Sequence, residues 1–448
     1  MRPEAGRPMV DACLQGTASV DEGIAHCSEI DHERSTPGEQ PIPSGQLDLQ
    51  TIVRGRHLER HGAHDRCGWI GVRTDSHLED PGDIELPLDQ HPGARLTAMA
   101  SDDLLIERLL RVIDEGRRTA TYKLALLLGI IDTAATMPNE TELPTRAIAE
   151  RVLELYYPQT RSYVDRNGVT FMPRQISMKS STVLAAVERL RVTGDAMRCR
   201  SIDEVARRAQ RDYERTLDVV EDTFVRYPIP LLQTIGTTPI PFLYAVDWSE
   251  GTTVASLRRS NGDRIRLLDG VADRLVVLGP MLRPLIEHHW TQDVARWTRI
   301  TTEDEQLRSH LFGPERAAFP KVLAGGLLEL QAGSCFYCEA RLDKRVEVDH
   351  FLPWSRWPND AIENLVLADQ CNSAKSDHLA ATAHLQRWRQ RLELHQLDLA
   401  EIAGEARWTS SLDRSRALVQ TTYQHLASGT PLWLRGHDFE FASGPSWD

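Results

Sequence analysis

The segment 335–377 constrains the fold of this chain more than any other stretch, because it concentrates metal-binding and proton-transferring side chains. It begins with Cys335-Phe-Tyr-Cys338, and two cysteines at this spacing are the usual half of a structural zinc site. The segment continues with Val348-Asp349-His350, Glu363-Asn364-Leu365 and Cys371-Asn372-Ser-Ala-Lys375-Ser-Asp377. A carboxylate, an imidazole and carboxamides so close along the chain predict a site that binds a cation and a phosphate together.

The same segment has a simple secondary-structure pattern. Residues 347–352 alternate as a strand, with His350 on one face and Asp349 on the other, and the turn near Pro353 brings both toward a common site. Residues 364–367 are typical of a return strand, and 372–379 have the polar start expected of a helix. We therefore expect two strands closed by a helix.

These residues resemble the HNH, or ββα-metal, endonucleases. The resemblance rests on Asp349-His350 followed by Pro353, then Asn364, then Cys371-Asn372-x-x-Lys375-Ser-Asp377. It is similar in form to zinc-bearing bacterial HNH enzymes and in spacing to the HNH module of RNA-guided CRISPR effectors. Asn372 stands where the family often has histidine, so the pattern is the HNN variant. Several independent positions agree, which makes the motif specific.

The resemblance implies a role for each residue of the site. His350 would be the general base that takes a proton from the attacking water. Asp349 and Asn372 would hold one catalytic divalent cation, Mg²⁺ or Mn²⁺, through hard oxygen ligands. Asn364 would fix the loop that carries His350 by side-chain to backbone hydrogen bonds. Lys375 and Arg356 would contact phosphate, and the products would be a 5′-phosphate and a 3′-hydroxyl.

The resemblance also implies a structural Zn²⁺ on Cys335, Cys338 and Cys371, with one departure from the family pattern. Zinc-bearing relatives usually present two Cys-x-x-Cys pairs, but Ala368 stands where the third cysteine would be. Asp369 or His378 would therefore have to supply the fourth ligand. Two other interpretations stay open: Cys371 as a buried thiol, and Asn372 as a helix cap.

Outside this segment the chain is predominantly helical, and the whole predicts an α+β fold. Periodic apolar residues predict a helical targeting or assembly region over 99–325, with a small β-hairpin element near 238–270 turned at Asn261-Gly262-Asp263. The HNH module would occupy 326–380, and a helical extension 381–448 would pack back on the body. The expected helices include those starting at Ser101, Tyr122, Pro144, Ser181, Ile202, Val271, Thr302, Pro314, Leu379 and Leu412.

Residues 1–98 have a different composition and predict a mostly disordered leader. They contain 17 acidic residues and nine arginines but no lysine, and they lack helical or strand periodicity. A bolder hypothesis places the biological start at Met99, directly before the helix-opening Ser101.

Charge and hydropathy exclude some classes of function. The net charge of −13 argues against a general nucleic-acid coat, although a nuclease can gather basic groups locally. No apolar run approaches the roughly 20 residues that cross a bilayer, so we expect a cytoplasmic protein.

The sequence therefore predicts a metal-dependent HNH endonuclease acting on DNA in bacterial (phage) defence or restriction, as a homodimer or with a partner subunit. Two alternatives remain: an HNH nuclease for RNA, and a non-catalytic zinc-finger-like DNA-binding protein with a decayed HNH core.

Overall fold

The computed structural model describes residues 92–114, 118–178, 181–236, 238–300, 305–313, 318–343 and 346–447. Most of the leader predicted to be disordered lies outside these residues. The described chain from Pro92 onward belongs to one compact unit. Helices dominate, and the strands form several small antiparallel sheets, so the predicted α+β class is confirmed. None of the described helices is both long and apolar enough to span a membrane.

Fifteen helices occur within the described residues: α1 Pro92–Asp114, α2 Tyr122–Thr136, α3 Thr145–Gln159, α4 Thr182–Ala196, α5 Ile202–Arg208, α6 Gln210–Arg226, α7 Pro228–Leu231, α8 Val254–Arg259, α9 Val271–Thr298, α10 Glu305–Phe312, α11 Lys321–Leu330, α12 Cys371–Lys375, α13 Thr382–Leu394, α14 Gln396–Ala406 and α15 Leu412–Gln424.

Eleven short strands accompany them in the same part of the chain: β1 Glu142–Pro144, β2 Tyr163–Val164, β3 Thr170–Phe171, β4 Thr234–Ile235, β5 Thr238–Pro239, β6 Tyr244–Ala245, β7 Arg264–Leu267, β8 Glu347–His350, β9 Leu365–Ala368, β10 Pro431–Arg435 and β11 Asp438–Phe441. The largest sheet has the order β1-β7-β6, and the other strands pair in twos.

Helix α2 is the centre of the helical body. Residues 124–135 of this helix are all buried, because its sequence is apolar on nearly every face. Helices α3, α9 and α15 pack around it. A buried ion pair between Asp132 of α2 and Arg283 of α9 compensates for the one acidic residue in this apolar run.

Several expected elements differ from the structure. Helix α1 begins at Pro92, so the predicted start at Ser101 is wrong. Residues 254–259 form helix α8 instead of a hairpin strand, because the hydroxyl of Thr253 caps the helix by accepting from the backbone N–H of Ser256. Strand β7 pairs with β1 and β6 instead, as a three-stranded sheet.

Prolines interrupt the helices less than expected. Helix α9 continues through Pro280 and Pro284, although each proline removes a backbone donor. Helix α3 likewise includes Pro158, although a proline usually ends a helix at the preceding residue. Buried contacts along α9, including Ile286 and Trp290, keep it continuous despite these losses.

The sequence predicts a helical C-terminal extension, but the structure also has strands in this part of the chain. It ends in the hairpin β10–β11, and Trp433 of β10 is completely buried. The segment between α14 and α15 joins the helical body to the β8–β9 region: the Thr409 hydroxyl donates to Asp203 at 2.6 Å, and the Thr409 carbonyl accepts from the backbone N–H of Ile362 at 3.1 Å. These bonds place the extension against both parts.

Candidate active site and metal centre

Strands β8 and β9 and helix α12 form the predicted ββα unit. The strands pair in antiparallel register, with Asp349 opposite Val366 and His350 opposite Leu365. The side chain of Gln331, directly after α11, donates to the carbonyl of Leu367 at 2.9 Å and accepts from its N–H at 2.8 Å. Strand β9 is therefore held from its second edge, and the hairpin is a rigid platform for the site.

Asp349 lies on the face of β8 that packs against α12. The ammonium of Lys375 is 3.0 Å from Asp349 Oδ2 and donates to the carbonyl oxygen of His350, also at 3.0 Å. The hydroxyl of Tyr337 donates to the same carboxylate. Burial and the nearby charge of Asp349 raise the pKa of Tyr337 well above its usual value, so it stays a donor. Two neighbours therefore hold Asp349 in place.

The sequence predicts that Lys375 contacts phosphate, but its side chain is 0% exposed. A lysine without solvent contact is stable only when it is paired, and Asp349 provides the pair. A direct contact between Lys375 and phosphate would require the ammonium to leave this position. Arg356, the other expected phosphate contact, is exposed on the loop that follows His350.

The imidazole of His350 has a different set of neighbours. Its Nε2 lies 2.8 Å from Oδ1 of Asp360, and its side chain keeps 15% exposure. The rings of Phe319 and Trp354 contact it, with centroid separations of 5.8 Å and 5.6 Å. The indole N–H of Trp408 donates to the backbone carbonyl of Asp360 at 2.6 Å. The imidazole is thus oriented on several sides while still reaching solvent.

Asn364 is completely buried and is hydrogen-bonded to the loop that follows His350. Its Oδ1 accepts from the N–H of Leu352 at 2.8 Å, and its Nδ2 donates to the carbonyls of Leu352 and Asn359 at 3.1 Å and 3.0 Å. These three bonds tie the start of β9 to both ends of the connecting loop. The geometry is that of a side chain that shapes the loop.

Asn372, in the first turn of α12, contacts β8. Its Nδ2 donates to Oε2 of Glu347 at 2.8 Å. Because the nitrogen is used in this bond, the amide oxygen is the atom that can serve as a cation ligand. Together, Asn372 with Glu347 and Lys375 with Asp349 hold α12 on β8 by two polar contacts.

A second cluster lies beside the ββα unit and could hold a metal ion. The ligand atoms of Cys335, Cys338, Asp369 and Cys371 lie within 4.8 Å of one another. Of the two residues left open as fourth ligand, Asp369 joins this cluster, whereas the ring of His378 packs on Phe439 at 4.8 Å. Cysteine sulfur and carboxylate oxygen are both among the ligand atoms that zinc accepts in proteins.

The protonation of this cluster is consistent with a cation site. Burial is the main cause that raises the pKa of the Cys335 and Cys371 thiols. Burial also acts to raise the pKa of Asp369, but hydrogen bonds from the Cys371 backbone N–H and from the cysteine thiols lower it overall. A bound cation would stabilise the thiolates that burial disfavours, so these residues fit a metal ion.

A cavity of about 360 Å³ opens beside the loop of His350. Trp354 and Ser355 line one part of it, and Arg283 and Arg308 of the helical body line another. Glu287 pairs with both arginines, at 3.7 Å and 2.7 Å. The body therefore contributes charged groups close to the candidate site, with their charges already balanced.

Sequence reasoning did not identify three residues that contact the expected site residues. Tyr337 contacts Asp349, Glu347 contacts Asn372, and Asp360 contacts His350. Glu347 shares its strand face with Asp349, which is a signal that period-two alternation could have given. Nothing in the spacing marks Tyr337 or Asp360.

Residues 335–381 match the HNH endonuclease family, so the chain carries an HNH endonuclease domain. Residues 103–311 match a family described as a domain of unknown function, DUF8808. The chain is also similar to the Septu protein PtuB of Bacillus thuringiensis, with 43% identity over 58 residues. That similarity covers 12% of this chain and 23% of the relative. No solved structure matches the chain significantly.

Proposed function

We propose that this protein is a metal-dependent HNH endonuclease that hydrolyses phosphodiester bonds of DNA. The observation that carries the proposal is the pairing of β8 and β9 under α12, with an oriented, partly exposed imidazole at His350. This arrangement coincides with the region that matches the HNH endonuclease family. A decayed, non-catalytic core would have no need to hold an imidazole in this way.

The residues of the site have separate tasks in this reaction. His350 takes a proton from water, whose oxygen then forms the new bond to phosphorus. The bond from phosphorus to the 3′ oxygen breaks, and the leaving oxygen takes up a proton from solvent, which leaves a 5′-phosphate and a 3′-hydroxyl. Asn364 shapes the loop that carries the base, and Arg356 contacts a neighbouring phosphate.

Asp349 and Asn372 are the proposed ligands of a divalent cation, Mg²⁺ or Mn²⁺. An ionised carboxylate has about four acceptor positions, and Tyr337 and Lys375 use two at Asp349. The remaining positions and the amide oxygen of Asn372 are hard oxygen donors, so these residues fit the ion. When bound, it would neutralise negative charge on the phosphate and the leaving oxygen.

We further propose that the four-ligand cluster holds a structural Zn²⁺ and that the enzyme acts in bacterial defence in the cytoplasm, together with a partner subunit. The similarity to a Septu protein supports the defence role, and the large helical region offers a place for a partner or for target recognition. An HNH core mainly contacts the phosphate backbone, so specificity has to come from elsewhere in the assembly.

Cleavage assays with matched histidine variants test this proposal. We expect the wild-type protein to cut plasmid DNA with Mg²⁺ or Mn²⁺, and His350→Ala to lose about 100-fold or more of the rate, the contribution of a general base. His437→Ala, which removes an exposed histidine of the C-terminal hairpin, should cut at the wild-type rate.

Parallel digestion of RNA separates the two substrates: cleavage of RNA alone would reassign the substrate. DNA binding without cleavage, unchanged in His350→Ala, would support the non-catalytic alternative and contradict the proposal.

A further inference from the structure

The neighbours of His350 point to a positioning residue that the motif does not include. We propose that Asp360 orients His350 so that Nε2 carries the proton and Nδ1 is the atom that accepts a proton from water. This inference rests on the proposed nuclease activity, because it assigns the atom that acts in that reaction. It starts from the 2.8 Å contact between His350 Nε2 and Asp360 Oδ1.

The protonation pattern follows from the chemistry of the two groups. A carboxylate only accepts hydrogen bonds, so a bond to it requires a hydrogen on the imidazole nitrogen. Nε2 of His350 is therefore the protonated nitrogen. In the neutral ring the lone pair then lies on Nδ1, which is the position from which a base can act. Without Asp360, the two tautomers would exchange and the ring could rotate.

The carboxylate is itself held in place. The indole N–H of Trp408 donates to the backbone carbonyl of Asp360 at 2.6 Å, which restrains the main chain at this residue. The backbone N–H of Ile362 donates to Thr409 at 3.1 Å, so the next turn is bound to the same segment. The Asp360 side chain is 29% exposed, and these bonds restrain the main chain from which it extends.

Aromatic rings complete the orientation of the imidazole. Phe319 contacts His350 at 5.8 Å and Trp408 at 5.6 Å between ring centroids, so one ring links the base to the residue that holds Asp360. Trp354 contacts the imidazole as well, at 5.6 Å. Phe319 and Trp408 lie outside residues 335–381, the part that matches the HNH family. The segments that flank the motif therefore complete the support of its base.

The first test measures the tautomer directly, without any need for cleavage. In the full-length protein labelled with ¹⁵N at histidine, long-range ¹H–¹⁵N spectra distinguish a protonated Nε2 from a protonated Nδ1. Loss of one signal in His350→Ala assigns the residue. We expect a protonated Nε2 in the wild type and a mixture of tautomers in Asp360→Ala. A protonated Nδ1 in the wild type, or an identical spectrum in Asp360→Ala, would overturn the proposal.

The second test measures cleavage by the same variants. We expect Asp360→Ala to lower kcat about 10- to 100-fold, part of what a general base contributes, with KM changed less than twofold. Asp360→Glu keeps the carboxylate and should recover much of this loss. Asp398→Ala is the matched control, because Asp398 forms the same kind of contact with His395, at 2.8 Å, outside the site. It should cleave at the wild-type rate.

The outcomes separate the two proposals. If the wild type cleaves and Asp360→Ala cleaves equally fast, the positioning role is wrong while the nuclease function stands. If the wild type cleaves no nucleic acid, the proposed function fails, and the tautomer spectrum still decides whether Asp360 sets the protonation of His350. A fall in kcat that Asp360→Glu does not recover, with a wild-type tautomer, would indicate a purely structural effect and contradict the inference.

Discussion

Replacing Lys375 by methionine tests the most unexpected contact of the site. Methionine has a similar length but no charge, so Lys375→Met removes both the ion pair with Asp349 and the hydrogen bond to the carbonyl of His350. The carboxylate of Asp349 then stays buried with Tyr337 as its donor. The variant therefore tests whether Lys375 mainly neutralises Asp349 or mainly contacts substrate.

The structure sets the expected size of the effect. Removing one partner of a buried ion pair costs about 3–5 kcal/mol, because the other charge is left without compensation. The lost hydrogen bond to His350 contributes about 1 kcal/mol more. Together, these two losses lead us to expect that Lys375→Met lowers the free energy of unfolding by about 4–6 kcal/mol. Adding Asp349→Asn removes the stranded charge and should restore most of this stability.

Urea unfolding at pH 7, followed by tryptophan fluorescence, measures the wild type, Lys375→Met and the double variant in parallel. Arg356→Ala serves as a control, because this exposed side chain should change stability by less than about 0.5 kcal/mol. The same proteins are then titrated with DNA at several salt concentrations. Arg356→Ala should reduce the slope of log K against log salt by about 0.9, the value for one lost phosphate contact.

Unchanged stability in Lys375→Met, together with a smaller salt dependence of DNA binding, would refute the reasoning. If Lys375→Met unfolds within about 0.5 kcal/mol of the wild type, the buried pair has no stabilising role. If it also reduces the salt slope by about 0.9, Lys375 contacts phosphate in the complex.

Two further predictions concern packing and the metal centre. A Cβ on Gly279 would lie 2.6 Å from Trp357 Cη2, so Gly279→Ala should lower stability by about 1–3 kcal/mol. Gly325 has open space around it, so Gly325→Ala should raise stability by about 0.5–1 kcal/mol. Thermal unfolding that ranks the two variants in the other order would contradict the packing. Purified protein should retain about one equivalent of zinc, as expected for one tight site. Cys371→Ser should retain less than half, and Cys199→Ser, at a buried cysteine outside the cluster, should match the wild type; equal metal in all three proteins would rule out the site.

The elements best predicted from the sequence are those whose residue pattern is compatible with only one local structure. Helix α2 begins at the predicted residue, Tyr122, and its almost wholly apolar sequence is buried as such a segment must be. The ββα unit also forms within a few residues of its expected limits, since alternation, a loop and a polar helix start follow one another there. Short-range patterns of this kind depend little on the rest of the chain.

The errors arose where local signals competed. Residues 254–259 contain apolar positions compatible with a strand, but the spacing of Val254 and Leu257 and the cap at Thr253 favour a helix. In α9 the two prolines favour an interruption, whereas the buried residues around them favour a continuous helix. Tertiary packing keeps helix α9 continuous, and a single sequence does not show which neighbours will pack against it.

The sequence predicts which residue types form the candidate site, but it does not predict most of the contacts between them. The sequence predicted His350, Asp349, Asn364 and Asn372 as site residues through their spacing, whereas part of the support of the His350 imidazole comes from distant segments. Trp408 and Phe319 reach the imidazole region only after the helices around them have packed. Such contacts leave no short-range periodicity. Asp360 is closer along the chain, but it lies in an irregular loop, where no pattern indicates its contact with His350.

The double anchoring of Thr409 has a consequence for engineering. Its hydroxyl bonds to Asp203 in the helical body and its carbonyl to Ile362 beside the hairpin, so one short connector bonds both parts. A graft of residues 335–381 onto another scaffold would leave this connector behind, together with the aromatic rings that steady the imidazole. Chimeras that exchange the HNH domain should therefore carry the chain from Phe319 through α15.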